Sequence, residues 1–209
     1  AGSEPLLDRV VAGIVLCMPE LRGLLASWND ASAAAPQSPP ALLREERLPL
    51  VVRAILSLWF AREMVQRRLH HEALEALQPV RAEQVVDPAA YYFFRAVSEN
   101  KLRKRDDAVA SINRLLSSVD GVPDRYRFVA ELLRKDMDGW KEKDLGDIAR
   151  RMQEIEGRLQ NSRGGPQTQE RQKEVIAMLD QIIKDLEDQC NQCQGGGGSG
   201  GGSRVVTTK

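Results

Sequence analysis

The two histidines of this chain lie side by side, at His70 and His71, and Glu72 follows them directly. Imidazole and carboxylate side chains can bind zinc or act as general acids and bases. A catalytic zinc, however, needs three protein ligands that converge on one point, and adjacent side chains diverge. The H-E-x-x-H spacing, which places two histidines on one helix face, does not occur in the sequence. We therefore interpret these residues as a solvated turn and predict no metal site.

Cys190 and Cys193 have the C-x-x-C spacing that is found in redox and metal sites. Such a pair becomes reactive at a helix N-terminus, which favours the thiolate. Here the pair falls at the predicted C-terminus of a helix, where the dipole disfavours a thiolate. We interpret it as an incidental pair that could be oxidised or crosslink two chains. Cys17 falls on an apolar stripe and is predicted to be a small core residue.

Two further patterns give no catalytic site. The segment Gly164-Gly165-Pro166 lacks the Lys-Ser/Thr ending of a phosphate-binding loop, and no predicted strand precedes it. Carboxylates are abundant, but none is predicted to lie isolated in an apolar run, where burial would raise its pKa. The sequence therefore predicts neither an enzyme nor a cofactor.

Basic residues cluster in two segments that are predicted to end helices. They are Arg62, Arg67 and Arg68, and then Lys101, Arg103, Lys104 and Arg105. Stacked units would align the clusters along one edge, which could meet phosphate groups or an acidic partner. Against this, Asp106 and Asp107 follow at once, and the whole chain balances 30 basic with 30 acidic residues. We expect a solvated edge, with nucleic-acid binding as an alternative.

The elements that must position these residues are predicted to be helices, which makes the chain all-α. The segment from Leu50 to Leu116 reads as one helical hairpin written twice, with a weaker third copy after it. Pairs of similar residues 35 positions apart are Trp59 and Phe94, Ala61 and Ala96, Ala73 and Ala108, Leu77 and Ile112, and Pro88 and Pro123. A period near 34, with small residues where helices cross, predicts stacked helix–turn–helix units.

The chain divides into four predicted parts. Residues 1–40 form two short helices, with apolar stripes Leu6, Val10, Ile14, Cys17 and Leu21, Leu24, Leu25, Trp28, and a Pro/Ala linker. Residues 41–140 hold the repeats, with Leu69–His71 as the first turn and Asp87 and Asp106 as helix caps. Residues 141–190 form an antiparallel helical hairpin on two seams: Leu145, Ile148, Met152, Ile155, Leu159; and Val175, Leu179, Ile182, Leu186. Residues 191–209 form a disordered Gly/Ser tail that resembles an engineered linker carrying a peptide, or a native glycine-rich tail.

The repeated segment resembles the tetratricopeptide-repeat family. The matching positions are Ala61 and Ala96, Ala73 and Ala108, and Leu77 and Ile112. The sequence departs from the family pattern at Ser57, Tyr92, Met64, Glu99 and Glu131. The resemblance implies a superhelical array whose first helices line a concave groove for a protein or peptide partner.

Carried over by position, the resemblance implies which residues line this groove. They are Ile55, Leu58, Arg62, Val65 and Gln66, then Ala90, Phe93, Val97, Asn100 and Lys101, and in the third unit Phe128, Leu132 and Lys135. Leu58, Phe93 and Val97 would supply apolar contacts. Arg62, Asn100 and Lys101 would hold polar groups or a terminal carboxylate of the partner. The leading hypothesis is therefore a non-enzymatic interaction scaffold.

Two other hypotheses about the function remain open. The basic edge could bind a polyanion, or the C-terminal hairpin, instead of capping the array, could pair between chains as a homo-oligomer.

The longest apolar run, Val10 to Met18, is shorter than the roughly 20 residues that a membrane helix needs, so no span is predicted. The sequence begins at Ala1, and removal of a signal peptide would explain this start. A periplasmic or secreted protein is expected, with a cytoplasmic one as the alternative.

Overall fold

The computed structural model describes residues 5–29, 34, 36, 38–141 and 143–195. The α-helices are α1 Leu6–Cys17, α2 Arg22–Asn29, α3 Leu50–Gln66, α4 His70–Leu77, α5 Pro88–Lys101, α6 Arg105–Ser118, α7 Asp124–Asp138, α8 Leu145–Gln160 and α9 Pro166–Gly195. Short 3-10 helices lie at Pro19–Leu21, Ala41–Arg44 and Ala82–Gln84. These described residues contain no strand, and the prediction of an all-α fold is confirmed. The predicted tail falls mostly on residues 196–209, and much of the predicted linker on 30–33, 35 and 37, all outside the described residues.

The hairpins α3–α4 and α5–α6 turn with the same backbone geometry. Arg68 and Arg103 both have φ of 60°, a left-handed conformation just after a helix. The amide of Leu69 donates to the Met64 carbonyl, and that of Lys104 donates to the Glu99 carbonyl, each at 2.8 Å. These two hydrogen bonds lie 35 residues apart along the chain, which is the spacing of the sequence pattern. The two hairpins therefore share local geometry as well as sequence period.

Two helix starts differ from their predicted positions. Asp87 caps α5 as predicted, because its carboxylate accepts a hydrogen bond from the Ala90 amide at 2.8 Å. The predicted cap Asp106 instead lies inside the first turn of α6, where its charge favours the helix N-terminus. His70 and His71 were predicted in the turn, but they form the first turn of α4. The turn ends at Leu69, because the left-handed Arg68 has already reversed the chain.

The main core is built around α3, which α1, α2, α4 and α5 contact. Its residues Leu56, Leu58 and Phe60 have no exposed surface. Trp28 from α2 packs edge-on against Phe60, with ring centroids 5.1 Å apart. A helix that is apolar over most of its circumference fits this surrounded position.

The predicted stripe on α1 is partly wrong, because Val10 and Ile14 pack half-buried against the core but Leu6 does not. Leu7 and Val11 are buried, whereas Leu6 is 50% exposed. The next residue, Asp8, explains the register, since its carboxylate reaches Arg62 at 2.6 Å and accepts a hydrogen bond from the Trp59 indole at 3.2 Å. Cys17 was predicted in the core but is exposed at the last residue of α1.

Helices α8 and α9 form the C-terminal hairpin, with a small core of their own. Ile148, Ile155 and Val175 are buried there. The outer residues of the predicted seams, Leu145, Met152, Leu159 and Leu186, stay largely exposed. For Leu186 the reason is that α8 has 16 residues and α9 has 30, so that α9 cannot be covered along its whole length.

The hairpin α8–α9 lies against the turn between α3 and α4. A Cβ at Gly157 would be 3.0 Å from the Cβ of Arg68, and the Asn161 side chain donates to the Arg67 carbonyl at 2.8 Å. On α7, Phe128 and Leu132 are 68% and 66% exposed. The interpretation of the hairpin as a cap over this last helix of the array is therefore wrong.

Within the described residues, no single helix is both long and apolar enough to cross a membrane. The segments Leu6–Cys17 and Pro19–Trp28 meet the length and composition criteria only together, with a bend of 117° between them.

Replacing Gly157 with Gln tests the docking of the hairpin. The new side chain would meet Arg68 at a distance that requires the turn or α8 to shift, and such overpacking costs about 1–3 kcal/mol of unfolding free energy. Gly13→Gln is the matched control, because a Cβ there meets nothing within 4 Å in a similar helix. The control should be neutral or stabilising by up to ~1 kcal/mol. Equal effects in urea denaturation would contradict this docking.

Candidate functional site

A network of buried charges joins the hairpin α8–α9 to α4 and to the turn between α5 and α6. Glu154 of α8 has a side chain only 6% exposed, and its carboxylate lies 3.3 Å from Arg103 and 3.4 Å from His71. Arg171 of α9 contacts the same carboxylate. Charge-assisted contacts of this kind are strong when several donors converge on one acceptor. Glu154 is therefore the centre of the contact between the two halves of the molecule.

A second buried carboxylate serves the same contact. Glu72 of α4 is 5% exposed and pairs with Arg163 at 2.6 Å, while Arg158 lies at 4.0 Å. Glu63 and Glu99 are buried as well, and Glu99 accepts hydrogen bonds from Arg95 at 2.8 Å and from Ser111 at 2.6 Å. The burial of these carboxylates was not predicted, although each has a cationic partner and none is isolated. Glu72 is held by arginines of the distant hairpin, whereas Glu63 and Glu99 pair with the nearby Arg62 and Arg95.

The predicted basic edge is partly engaged within the protein. Arg103 pairs with Glu154 and lies 3.6 Å from Asp147, so that α8 covers this part of the edge. Arg62 pairs with Asp8, and Arg67 donates to the Trp28 carbonyl at 2.8 Å. The prediction of a solvated edge therefore fails for these three arginines. The exposed members of the two clusters are Arg68, Lys101, Lys104 and Arg105.

His70 is buried and neutral, which corrects the prediction of a solvated turn. Its exposed fraction is 8%. Burial lowers the pKa of His70, and together with the nearby charges of Lys101, His71 and Arg68 it brings the pKa to about 4. The burial was missed because the prediction placed His70 in the turn, whereas the turn ends at Leu69 and His70 begins α4.

A polar cavity of about 740 Å³ lies beside this turn; we name it the turn cavity. Its lining comes from the α3–α4 turn, the C-terminal ends of α5 and α7, and one side of α8. The lining residues are Arg68, His70, Asn100, Lys101, Asp136, Trp140, Gly146, Ala149, Arg150, Gln153, Glu154 and Glu156. The guanidinium of Arg150 lies 4.6 Å from the centre of the Trp140 ring, which fixes both side chains.

A second cavity, of about 510 Å³, lies where α1, α3, α5 and α7 meet; we name it the concave groove. It is lined by Pro5, Leu7, Asp8, Arg62, Glu63, Gln66, Asp87, Ala90, Phe93, Phe94, Arg125, Tyr126 and Val129. Phe93 stacks on Tyr126 with ring centroids 4.1 Å apart, and the Arg125 guanidinium lies 4.9 Å from the Tyr126 ring centre. The groove thus has an aromatic wall with a cation beside it.

The predicted partner-binding residues separate into groups. Arg62, Gln66 and Phe93 line the concave groove, whereas Asn100 and Lys101 line the turn cavity. Val97 is half-buried and Lys135 is exposed, and neither lines either cavity.

Leu58 was predicted as an apolar contact for a partner but is fully buried. The reason is that helices surround α3, so that its apolar residues form the core. Arg125, Tyr126 and Asp87 of the groove were not predicted as partner-binding residues. Tyr126 lies in the segment after Pro123 whose apolar spacing predicts the third unit. This spacing was the signal that could have identified Tyr126.

No protein-family model, curated protein or solved structure matches this chain. Among the residues that the structure describes, no group of three or more His, Cys, Asp or Glu side chains could hold a metal ion. Cys190 is a free, exposed thiol, and the side chain of Cys193 lies outside the description.

Replacing Glu154 with Gln tests whether this carboxylate holds the hairpin in place. Removing one partner of a buried ion pair leaves the other charges uncompensated, so we expect a loss of about 2–4 kcal/mol in unfolding free energy. Glu156→Gln is the control, because Glu156 lies on the same helix but is exposed, and a change within about 0.5 kcal/mol is expected. Denaturant titration of both variants makes the comparison. A Glu154→Gln protein as stable as the control would rule out the proposed role.

The lowered pKa of His70 predicts that stability falls with acidity. Between the unfolded pKa near 6.5 and the folded pKa of about 4, the unfolded chain binds a proton that the folded chain does not. The unfolding free energy should therefore drop by about 1.5 kcal/mol through His70 between pH 6.5 and pH 5. His70→Gln should remove this part of the pH dependence, as measured by denaturation at both pH values. An unchanged slope would mean that His70 protonates freely in the folded protein.

Proposed function

We propose that this protein is a non-enzymatic interaction module that binds a short segment of a partner protein in the concave groove. The observation that carries the proposal is the position of the groove, on the side where three first helices, α3, α5 and α7, meet. Its volume lies in the range of pockets that hold small ligands or a few side chains of a peptide.

The chemistry of the groove defines the segment that it would bind. Phe93 and Tyr126 offer an apolar aromatic wall for an aliphatic or aromatic side chain. Arg125 has no carboxylate partner among the described residues, so an acidic group of the partner could pair with it. Arg62 is satisfied by Asp8 and Glu63, so we assign it a structural role instead of a contact.

The exposed apolar side chains of α7 extend the groove. Val129 lines it, and Phe128 and Leu132 lie on the same part of α7, within one turn of Val129. A partner segment longer than the groove would continue over these residues. Exposed apolar side chains in a group of this kind are typical of interaction surfaces.

The two alternatives have narrower support. Polyanion binding would rely on the basic edge, where Arg62 and Arg103 are already paired with carboxylates. Self-association has one favourable observation, because Ile183 and Leu186 of α9 are 53% and 55% exposed beyond the part that α8 can cover.

Selection from a random peptide library on the immobilised full-length protein tests the proposal. Fluorescence anisotropy should show that selected peptides bind Val129→Glu at least tenfold more weakly, because the carboxylate opposes apolar contact in the groove; tenfold corresponds to about 1.4 kcal/mol. Val51→Glu is the matched control, since Val51 is an exposed valine outside the groove, and its affinity should not change. Peptides that bind both variants equally well, or no enrichment at all, would overturn the proposal.

A further inference from the structure

The turn cavity contains buried polar groups that the protein does not satisfy. The Nδ1 atom of His70, the Nδ2 atom of Asn100 and the Nε atom of Arg150 have no hydrogen-bond partner among the described residues. His70 is 8% and Asn100 4% exposed, and all three residues line the cavity. Asn100 Nδ2 and Arg150 Nε can only donate hydrogen bonds, and a neutral imidazole can donate from Nδ1. Buried groups without partners are rare in folded proteins, and a bound ligand is one reason for them.

Two cations in the lining of the same cavity form no ion pair with the described residues. Arg68 and Lys101 line it, and neither forms an ion pair within the part of the chain that the structure describes. Both lie near the His70 imidazole, because their charges contribute, after burial, to the lowering of its pKa. Arg150 adds a third cation, with its closest carboxylate contact at 3.8 Å, to Asp144. A group that enters the cavity would therefore meet several donors and cations at once.

The carboxylates in the lining already have partners. Glu154 is held by Arg103, Arg171 and His71, as described above. Asp136 accepts a hydrogen bond from the Trp140 indole at 2.9 Å, and Glu156 accepts one from Gln160 at 3.1 Å. Four buried atoms of the lining residues have no hydrogen-bond partner among the described residues, and three of them can donate. The fourth, Glu154 Oε1, lies against the cationic Arg171 and near His71. A negatively charged acceptor would satisfy the three donors.

We propose that the turn cavity binds a small molecule that carries one oxyanion group, either a phosphate monoester or a carboxylate. Asn100, Arg150, Lys101 and Arg68 would contact the oxyanion, and His70 would donate a hydrogen bond from its neutral ring. The volume of about 740 Å³ leaves room for an organic part of the ligand beside Trp140 and Ala149. The carboxylates in the lining disfavour extended polyanions such as nucleic acids.

This site differs from the proposed peptide groove in its lining residues as well as its chemistry. None of the residues that line the turn cavity also lines the concave groove. A failure of peptide binding would therefore leave this proposal standing, and the reverse is also true.

Isothermal titration calorimetry of the full chain, at constant ionic strength, tests the site with inorganic phosphate, phenyl phosphate and benzoate. We expect phenyl phosphate or benzoate to bind, and Lys101→Met to weaken that binding at least fivefold. Lys104→Met is the matched control, because it removes the same charge near the same turn but lies outside the turn cavity. It should change the affinity less than twofold. Asn100→Asp, which replaces a donor with a carboxylate at constant size, should abolish binding.

The outcomes separate the sources of the oxyanion and decide the proposal. Preference for phenyl phosphate would identify a phosphate ester as the ligand class, and preference for benzoate would identify a carboxylate; either supports the site. Equal weakening by the two lysine variants would show an unspecific response to surface charge and would overturn it. Absence of binding by all three probes up to about 10 mM, far above typical ligand affinities, would overturn it as well.

Discussion

The contact between the C-terminal hairpin and the inter-helix turns determines where the hairpin lies and how the turn cavity is formed. Burying Glu154 and Glu72 costs desolvation free energy, and several cations must converge on each to offset it. Those cations come from both halves of the chain: Arg103 from one, and Arg163 and Arg171 from the other. Because the two carboxylates need cations from both halves of the chain, the hairpin is held in one place. The position of α8 then closes one side of the turn cavity.

The sequence predicts the helices well, because the signals that form them are local. The Asp87–Pro88 start of α5 and the apolar periodicity of α3 require only neighbouring residues. The register of α1 could not be predicted in the same way. Leu6 and Leu7 are equally apolar, and the choice between them depends on how Asp8 meets Arg62 across 54 positions of the chain.

The candidate site was predicted only in part, and the geometry of α5 explains why. Phe93 and Asn100 lie about two helical turns apart, which corresponds to about 10 Å along the axis. The groove predicted from the family resemblance, which uses sequence positions alone, places both residues on one surface. In the structure, α7 approaches the helix near Phe93, whereas the turn and α8 meet it near Asn100. One predicted row of residues thereby becomes part of two cavities with different chemistry.

The charges of this protein act mainly as internal contacts. The chain has equal numbers of acidic and basic residues, so that no overall field attracts a charged partner. Many of its arginines pair with carboxylates of distant segments and thereby fix how the helices pack. Because many arginines are used in this way, binding sites are better indicated by cations for which the described residues supply no carboxylate. Examples are Arg68 and Lys101 at the turn cavity and Arg125 at the concave groove. Their positions, each at a cavity, are therefore a better indication of binding sites than the number of basic residues in a segment.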